Sequence, residues 1–346
     1  MRIAVVAPLV TPIAEPQLGG SQALVADLAA GLSGRGHEVD VYAAAGSRIP
    51  GVGVVEVRTG ELSASIYRPD RGLPRPDEAS LSAFASCYEL LSGGEYDLVH
   101  VHAFDVAAVD RTAELEVPVV FTLHLPPEPA VAEALRRAPR VVVAAVSRSQ
   151  ADAWRRLVRV DAVLRNGLPL QAIAWSPEPQ KGLLFAGRLS PEKGAAEAVE
   201  IARRAGLPLR VLGAPYDTGY AAELARSGVE MDGPVPRADL WEAMAESMAV
   251  LCPVRWEEPF GLVAAEAQAC GTPVVGFRRG ALPEVIQDGV TGFLVEGGDI
   301  DAAARAVRDA RTLDRTECRR HAEATLGLDA MLDAHETLYA GVAGRG

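Results

Sequence analysis

Lysine is almost missing from this chain: Lys181 and Lys193 are the only two in 346 residues, and arginine carries nearly all the positive charge. A lysine inside a motif is therefore harder to dismiss as incidental. Positive charge as a whole is short, with a formal net charge of −12 and a pI near 5.1. That balance excludes the clustered Lys/Arg surfaces that nucleic acid and anionic membranes require, so any anion site must be local. The four cysteines, Cys87, Cys252, Cys270 and Cys318, have neither CxxC nor Cys/His metal spacing and read as reduced, buried thiols. Asn166 is the only asparagine and precedes Gly-Leu, so there is no N-glycosylation sequon. No apolar run reaches membrane-spanning length. The start, MRIAVVAPLV, runs straight into a Pro/Gly loop and an amphipathic helix, as a first buried strand does. The expectation is a soluble, cytoplasmic protein with no nucleic-acid partner and no stable membrane insertion.

What is present is a repeating alternation. Short apolar runs at Arg2 to Ala7, Val39 to Ala43, Val52 to Val57, Leu98 to Val101, Val119 to Leu123 and Val141 to Val146 read as buried parallel strands. Between them lie helical patterns at Ser21 to Ser33, Val106 to Glu114, Val131 to Arg137 and Ser149 to Val158. The periodicity lapses between Leu168 and Lys181, where Pro177 and Pro179 disfavour both helix and strand, and this is the expected hinge. A second series follows, with strands at Leu183 to Ala186, Leu209 to Leu212, Val229 to Met231, Ala249 to Cys252, Pro273 to Gly276 and Phe293 to Val295. The fold class predicted is α/β, two doubly wound parallel sheets. The domains are 1–170, 171–325 and a C-terminal helical segment, 326–346, packing back on the first. In such sheets ligands bind outside the carboxyl ends of the strands.

Chemistry concentrates in two stretches of the second domain. In Glu258-Pro-Phe-Gly-Leu-Val-Ala-Ala-Glu266, two carboxylates stand eight positions apart around a helix start. Pro259 suits the first helical turn, and Gly261 removes a side chain where unpaired amides at Phe260, Gly261 and Leu262 point outward, a seat for phosphate. Gly187-Arg-Leu-Ser-Pro-Glu-Lys193-Gly194 follows the first strand of the same domain. Arg188 offers a bidentate fork and Lys193 a point charge to one anion. In the first domain, Gly19-Gly20 lies in a βα loop where bare backbone N–H groups can approach a diphosphate. His124 ends a strand. His100 and His102 share a face of another, with His100 the more structural of the two and His102 a lesser candidate for lining a ligand pocket. Other signals fail: Gly51-Val-Gly53 breaks GxGxxG, no GxxxxGK[ST] occurs, and Asp299-Ile-Asp301 reads as a helix N-cap and not as a metal-binding DxD.

These motifs resemble those of retaining glycosyltransferases of family four, over essentially the whole chain and most densely from Gly187 to Gly292. The resemblance implies the GT-B architecture, two Rossmann-like domains facing across a cleft, the first binding acceptor and the second the nucleotide sugar. It implies that Arg188, Lys193 and the amides of Phe260, Gly261 and Leu262 hold the donor diphosphate, with Gly19 and Gly20 opposite. By the same likeness Glu258 takes the hydroxyls of the transferred sugar, Glu266 the ribose, and His124 lies beside the reacting sugar. The implied activity is transfer of a hexose from a nucleoside-diphosphate sugar, UDP favoured, to an acceptor hydroxyl. No cofactor or metal is expected, and the acceptor is expected to be a small molecule. A non-catalytic nucleotide-sugar sensor and a sugar-nucleotide epimerase remain alternatives. Two departures leave the donor pocket's shape open: Leu-Pro-Pro after His124, and Trp256-Glu257 ahead of Glu258. The Arg-rich Thr59 to Ser80 stretch reads first as a solvated loop, with acceptor contact as its alternative, and Met231 to Gly233 is a place to read the base.

Overall fold

The computed structural model describes residues 1–59, 76–178, 182–229 and 231–344. Most of the Thr59 to Ser80 loop and the end of the expected hinge, Pro179 to Lys181, lie outside them. The chain divides into two units. One comprises Met1–Ala14, Gly20–Gly167 and Leu328–Gly346, the other Glu15–Gly19 and Leu168–Gly327.

The first unit begins with β1 (Arg2–Val6), α1 (Gly20–Gly34), β2 (Glu38–Ala44), β3 (Gly53–Val57), α2 (Glu78–Ser92) and β4 (Leu98–Val101). It continues with α3 (Val106–Arg111), β5 (Val119–Leu123), α4 (Pro129–Arg137), β6 (Val142–Ala145), α5 (Arg148–Trp154) and β7 (Ala162–Val163). The strands form one parallel sheet ordered β3-β2-β1-β4-β5-β6-β7. The continuous apolar runs follow from burial on both faces. In β1, Ala4 and Val6 enter the core under α2, α3 and α4, while Ile3 and Val5 enter the opposite one under α1. Helix α5 stops at Trp154, short of the expected Val158. Its indole is buried and donates to the Leu125 carbonyl at 2.9 Å, and the Trp154 carbonyl takes both the Leu157 and Val158 amides in a tightened last turn.

The second unit contains β8 (Leu183–Ala186), α6 (Ala195–Ala205), β9 (Leu209–Leu212), α7 (Thr218–Arg226), β10 (Met231–Asp232), α8 (Arg237–Ala245) and β11 (Ala249–Cys252). It closes with α9 (Leu262–Ala269), β12 (Val274–Phe277), α10 (Leu282–Val285), β13 (Gly292–Val295), α11 (Ile300–Asp309) and α12 (Arg315–Thr325). Its parallel sheet is ordered β10-β9-β8-β11-β12-β13. Asp299 caps α11 by accepting from the Ala302 amide at 2.8 Å, the ordinary role expected for it. The aperiodic stretch after Leu168 is fastened by two arginines of α12. Arg319 donates to the carbonyls of Leu170, Ile173 and Ala269, and Arg315 to those of Ser176, Ser247 and Ala245 and to Thr272 Oγ1.

The last helix, α13 (Leu328–Ala343), belongs to the first unit and packs on α1. Gly31 permits that approach: a Cβ there would lie 2.7 Å from Leu332 Cδ1. The four cysteines are unbridged and buried. Among the described residues no helix is long and apolar enough to cross a membrane.

Candidate functional site

In the second unit the strand order reverses between β8 and β11, and the carboxyl ends of strands at such a reversal are where open parallel sheets bind ligands. Both signature stretches sit there. After β8, Gly187 adopts φ +149, and Gly213 lets the neighbouring chain approach so closely that a Cβ on it would meet the Gly187 carbonyl oxygen at 1.8 Å. Arg188 lies over the Tyr216 ring at 4.4 Å, and its Nη2 donates to Glu192 Oε1 at 3.3 Å. Glu192 is buried and also accepts from Ser190 Oγ at 2.6 Å, so one internal carboxylate orients the loop. Lys193 ends a 3-10 turn closed by Gly194 at φ +79, where a Cβ would fall 2.0 Å from the Pro253 carbonyl oxygen. Only glycine meets both conditions.

After β11, the chain turns through Pro253 to Gly261 into α9. The helix starts at Leu262, two residues later than Pro259 and Phe260 suggest in sequence, because Gly261 takes φ +92 and acts as the N-cap residue. The first amides without an intrahelical partner are therefore those of Leu262, Val263 and Ala264, with Phe260 and Gly261 ahead of them. Gly280 packs on Glu258 so tightly that a Cβ would lie 2.3 Å from its backbone, and the Ala281 amide donates to the Glu258 carbonyl at 2.8 Å. The Glu258 carboxylate accepts from Lys193 Nζ at 2.8 Å and from Trp256 Nε1 at 2.6 Å, both on Oε2. Glu266, buried at 4% exposure, accepts from Arg237 Nε at 2.9 Å and Trp241 Nε1 at 3.1 Å, both on Oε1. Cys252, just ahead of this loop, is pushed up to about 12 by burial, then by Glu258, and is a poor nucleophile.

In the first unit the reversal lies between β1 and β4. Gly19, which groups with the second unit, ends the loop that follows β1, and Gly20, in the first, is the first residue of α1. His102 and His124 lie just past the ends of β4 and β5, with His102 Nδ1 and His124 Nε2 sharing a hydrogen bond at 2.9 Å. His100 is held between Tyr339 Oη at 2.6 Å and Thr122 Oγ1 at 2.7 Å, a wholly internal position that agrees with its structural reading. His102 is equally buried and its Nε2 has no hydrogen-bond partner among the described residues. Burial lowers all these imidazoles: His124 to about 4, and His100 and His102 well below the ordinary histidine range. They are neutral near pH 7, so His124 meets His102 as a neutral imidazole.

The comparisons with known proteins converge on one family. Residues 18–172 match the sequence model described as Glycosyltransferase Family 4, and residues 171–325 that described as Glycosyl transferases group 1. The D-inositol 3-phosphate glycosyltransferase of Mycobacterium marinum is 31% identical over 371 residues, an alignment spanning 88% of this chain and 77% of that protein. This chain belongs to glycosyltransferase family four. Among solved structures, the glycosyltransferase AviGT4, involved in avilamycin A biosynthesis, matches this family-four glycosyltransferase with a TM-score of 0.71 at 25% identity, covering 100% and 98% of the two chains. Anabaena HepE, in complex with UDP-glucose, matches with a TM-score of 0.76 at 20% identity, covering 98% and 100%. The fold class is the GT-B class of these neighbours.

In this glycosyltransferase, Arg188, Lys193, Glu258, Phe260, Gly261, Leu262 and Glu266 gather around the β8–β11 reversal, while His124 and Gly20 belong to the other unit. Sequence reasoning missed Trp241, Arg237, Tyr216 and Glu192. Trp256 stood out only as a departure from the family pattern, although its place two residues before Glu258 puts it within reach of the same carboxylate. Trp241 and Arg237 carry no local signal, since they meet Glu266 only through the packing of α8 on α9.

Proposed function

We propose that this glycosyltransferase is a retaining hexosyltransferase that takes its sugar from a nucleoside-diphosphate donor, UDP favoured, and needs no metal ion. The observation that carries this reading is the placement of Arg188, Lys193 and the start of α9 together at the β8–β11 reversal. Breaking the anomeric C–O bond leaves extra negative charge on the departing diphosphate, and fixed cations with unpaired amides stabilise that charge. The Lys193 ammonium has three donors and gives one to Glu258, which leaves two for phosphate oxygens. Arg188, spread over Tyr216, keeps further guanidinium donors beyond the one on Glu192.

In this reading Glu258 accepts from hydroxyls of the transferred sugar and Glu266 from the ribose, while His124, neutral, hydrogen-bonds the sugar. The acceptor oxygen bonds to the anomeric carbon on the face the diphosphate leaves, and its proton passes to the leaving phosphate. The UDP-glucose bound to Anabaena HepE supports the choice of base, and the name of the Mycobacterium marinum relative supports a small hydroxylated acceptor.

A panel of UDP- and GDP-sugars in thermal unfolding identifies the donor, because a specific ligand raises the midpoint by mass action. Turnover is then followed as nucleoside-diphosphate release with EDTA present, using D-inositol 3-phosphate and simple polyols as trial acceptors. Release that persists in EDTA and gives an α-linked product from an α-donor is the expected result. Activity lost to chelation and restored by Mg2+ or Mn2+, or an inverted product, overturns the reading.

A further inference from the structure

The two carboxylates of the site are held by the same device used twice. At Glu258, Trp256 donates its indole N–H to Oε2, Lys193 donates to the same oxygen, and the Lys193 ammonium lies 4.5 Å from the centre of the Trp256 ring. At Glu266, Trp241 donates its indole N–H to Oε1, Arg237 donates to the same oxygen, and the Arg237 guanidinium lies 4.8 Å from the centre of the Trp241 ring. In each case one side chain fixes both partners of an ion pair, through its N–H edge and its π-face.

An indole suits this because it donates only, keeps its proton at every accessible pH, and attracts a cation to its face. All four residues flanking these carboxylates are largely buried, Trp256 and Trp241 each at 7% exposure. Each carboxylate therefore has one oxygen carrying two charge-assisted or N–H contacts. The other, Oε1 of Glu258 and Oε2 of Glu266, takes no hydrogen bond from any described residue. A carboxylate free to rotate offers either oxygen in many directions; one clamped at a single oxygen offers the other in one direction.

We propose that Trp256 and Trp241 are positioning residues, each clamping one oxygen of its glutamate so that the other is presented to the donor: Trp256 through Glu258 to the sugar, Trp241 through Glu266 to the nucleoside. This rests on the donor roles assigned above to the two glutamates. It extends them to two side chains that act through the glutamates, and it makes the two tryptophans separable by ligand. The sugar belongs to UDP-glucose and not to UDP, whereas the ribose and diphosphate are common to both. Disturbing Trp256 changes the ratio of the two affinities; disturbing Trp241 changes both affinities and leaves the ratio alone.

The test uses calorimetric titration of UDP-glucose and UDP into the wild-type chain and the Trp256→Phe, Trp241→Phe and Glu258→Gln variants. Phenylalanine keeps a cation-binding ring face and deletes the N–H. In Trp256→Phe, the Kd of UDP-glucose relative to that of UDP is expected to rise about tenfold over the wild-type ratio, the scale of one hydrogen bond to a charged group. In Trp241→Phe both Kd values are expected to rise by about tenfold together. If Glu258→Gln raises the ratio and Trp256→Phe does not, or if Trp256→Phe weakens both ligands alike, the positioning role is overturned while the donor reading stands. If Glu258→Gln itself leaves the ratio unchanged, or the wild-type chain binds neither ligand, the donor reading fails first. A variant that does not fold is bypassed by fluorine NMR of the wild-type chain grown with 5-fluorotryptophan. One indole resonance is expected to move with UDP-glucose beyond its shift with UDP, and a spectrum that does not distinguish the two ligands overturns the proposal.

Discussion

The histidines of the first unit make it sensitive to mild acid. His335 is buried and His124 half-buried, and desolvation lowers the pKa of both to about 4, although the His335 Nδ1–H donates to the Met331 carbonyl at 2.7 Å. In the unfolded chain each titrates near 6.5. Folding therefore holds them neutral in a range where the unfolded chain binds their protons. The unfolded state binds more protons as pH falls from about 6.5 towards 4, so stability falls with it. At pH 5 each has lost about 1.5 pH units of that interval, on the order of 2 kcal/mol, and the pair about 4 kcal/mol. His100 and His102 shift in the same direction and add to the loss. Against a typical domain stability of about 5–15 kcal/mol, this is a large fraction. Trp154 reports on the first unit once Trp175, Trp241 and Trp256 are replaced by phenylalanine. Urea unfolding followed by its fluorescence is expected to give a midpoint much lower at pH 5.0 than at pH 7.5. His335→Gln is expected to remove about 2 kcal/mol of that difference. A loss under about 1 kcal/mol at pH 5, or an unchanged loss in a His124→Gln/His335→Gln double variant, refutes the reasoning.

Replacing Lys193 by methionine is expected to lower kcat by about a hundredfold or more with little change in thermal midpoint, since a charge-assisted bond that tightens in the transition state is lost; an unchanged kcat removes Lys193 from the leaving-group site. Arg315→Met leaves three carbonyls and Thr272 Oγ1 without their buried donor, and is expected to destabilise the second unit by about 3–5 kcal/mol in chemical unfolding. Gly194→Ala forces a Cβ against the Pro253 carbonyl as well as a left-handed backbone, and is expected to cost well over the roughly 1 kcal/mol of Gly206→Ala. Gly206 has similar φ, +71 against +79, but open space around it, so equal midpoints for the two variants would show that the close approach at Gly194 carries no weight.

Among the described residues, the apolar runs and their spacing were enough to place eleven of the thirteen strands and to touch a twelfth, β10, at Met231 alone, because parallel strands buried on both faces must be apolar throughout and their connections must be polar or amphipathic. They left out β7, whose two residues are too few to form a pattern. Gly187 to Gly194 and Glu258 to Glu266 were legible for a related reason: phosphate chemistry needs glycine, arginine and lysine at fixed offsets within one loop, and offsets are a property of sequence. What settles the environment of those residues is contact between segments far apart in the chain. Trp241 and Arg237 reach Glu266 across α8 and α9, Lys193 reaches Glu258 across 65 positions, and Tyr339 reaches His100 across 239. No local pattern encodes such pairs, because the distance between them is set by how helices seat on a sheet. The start of α9 moved to Leu262 for the same cause. Proline at 259 favours a first turn, but Leu282 packs against Gly261, which takes φ +92, and Gly280 packs against the backbone of Glu258. The chain alone thus determined which charged side chains and bare amides the two loops carry; only the packed structure decided which oxygen of each carboxylate is already held by its neighbours.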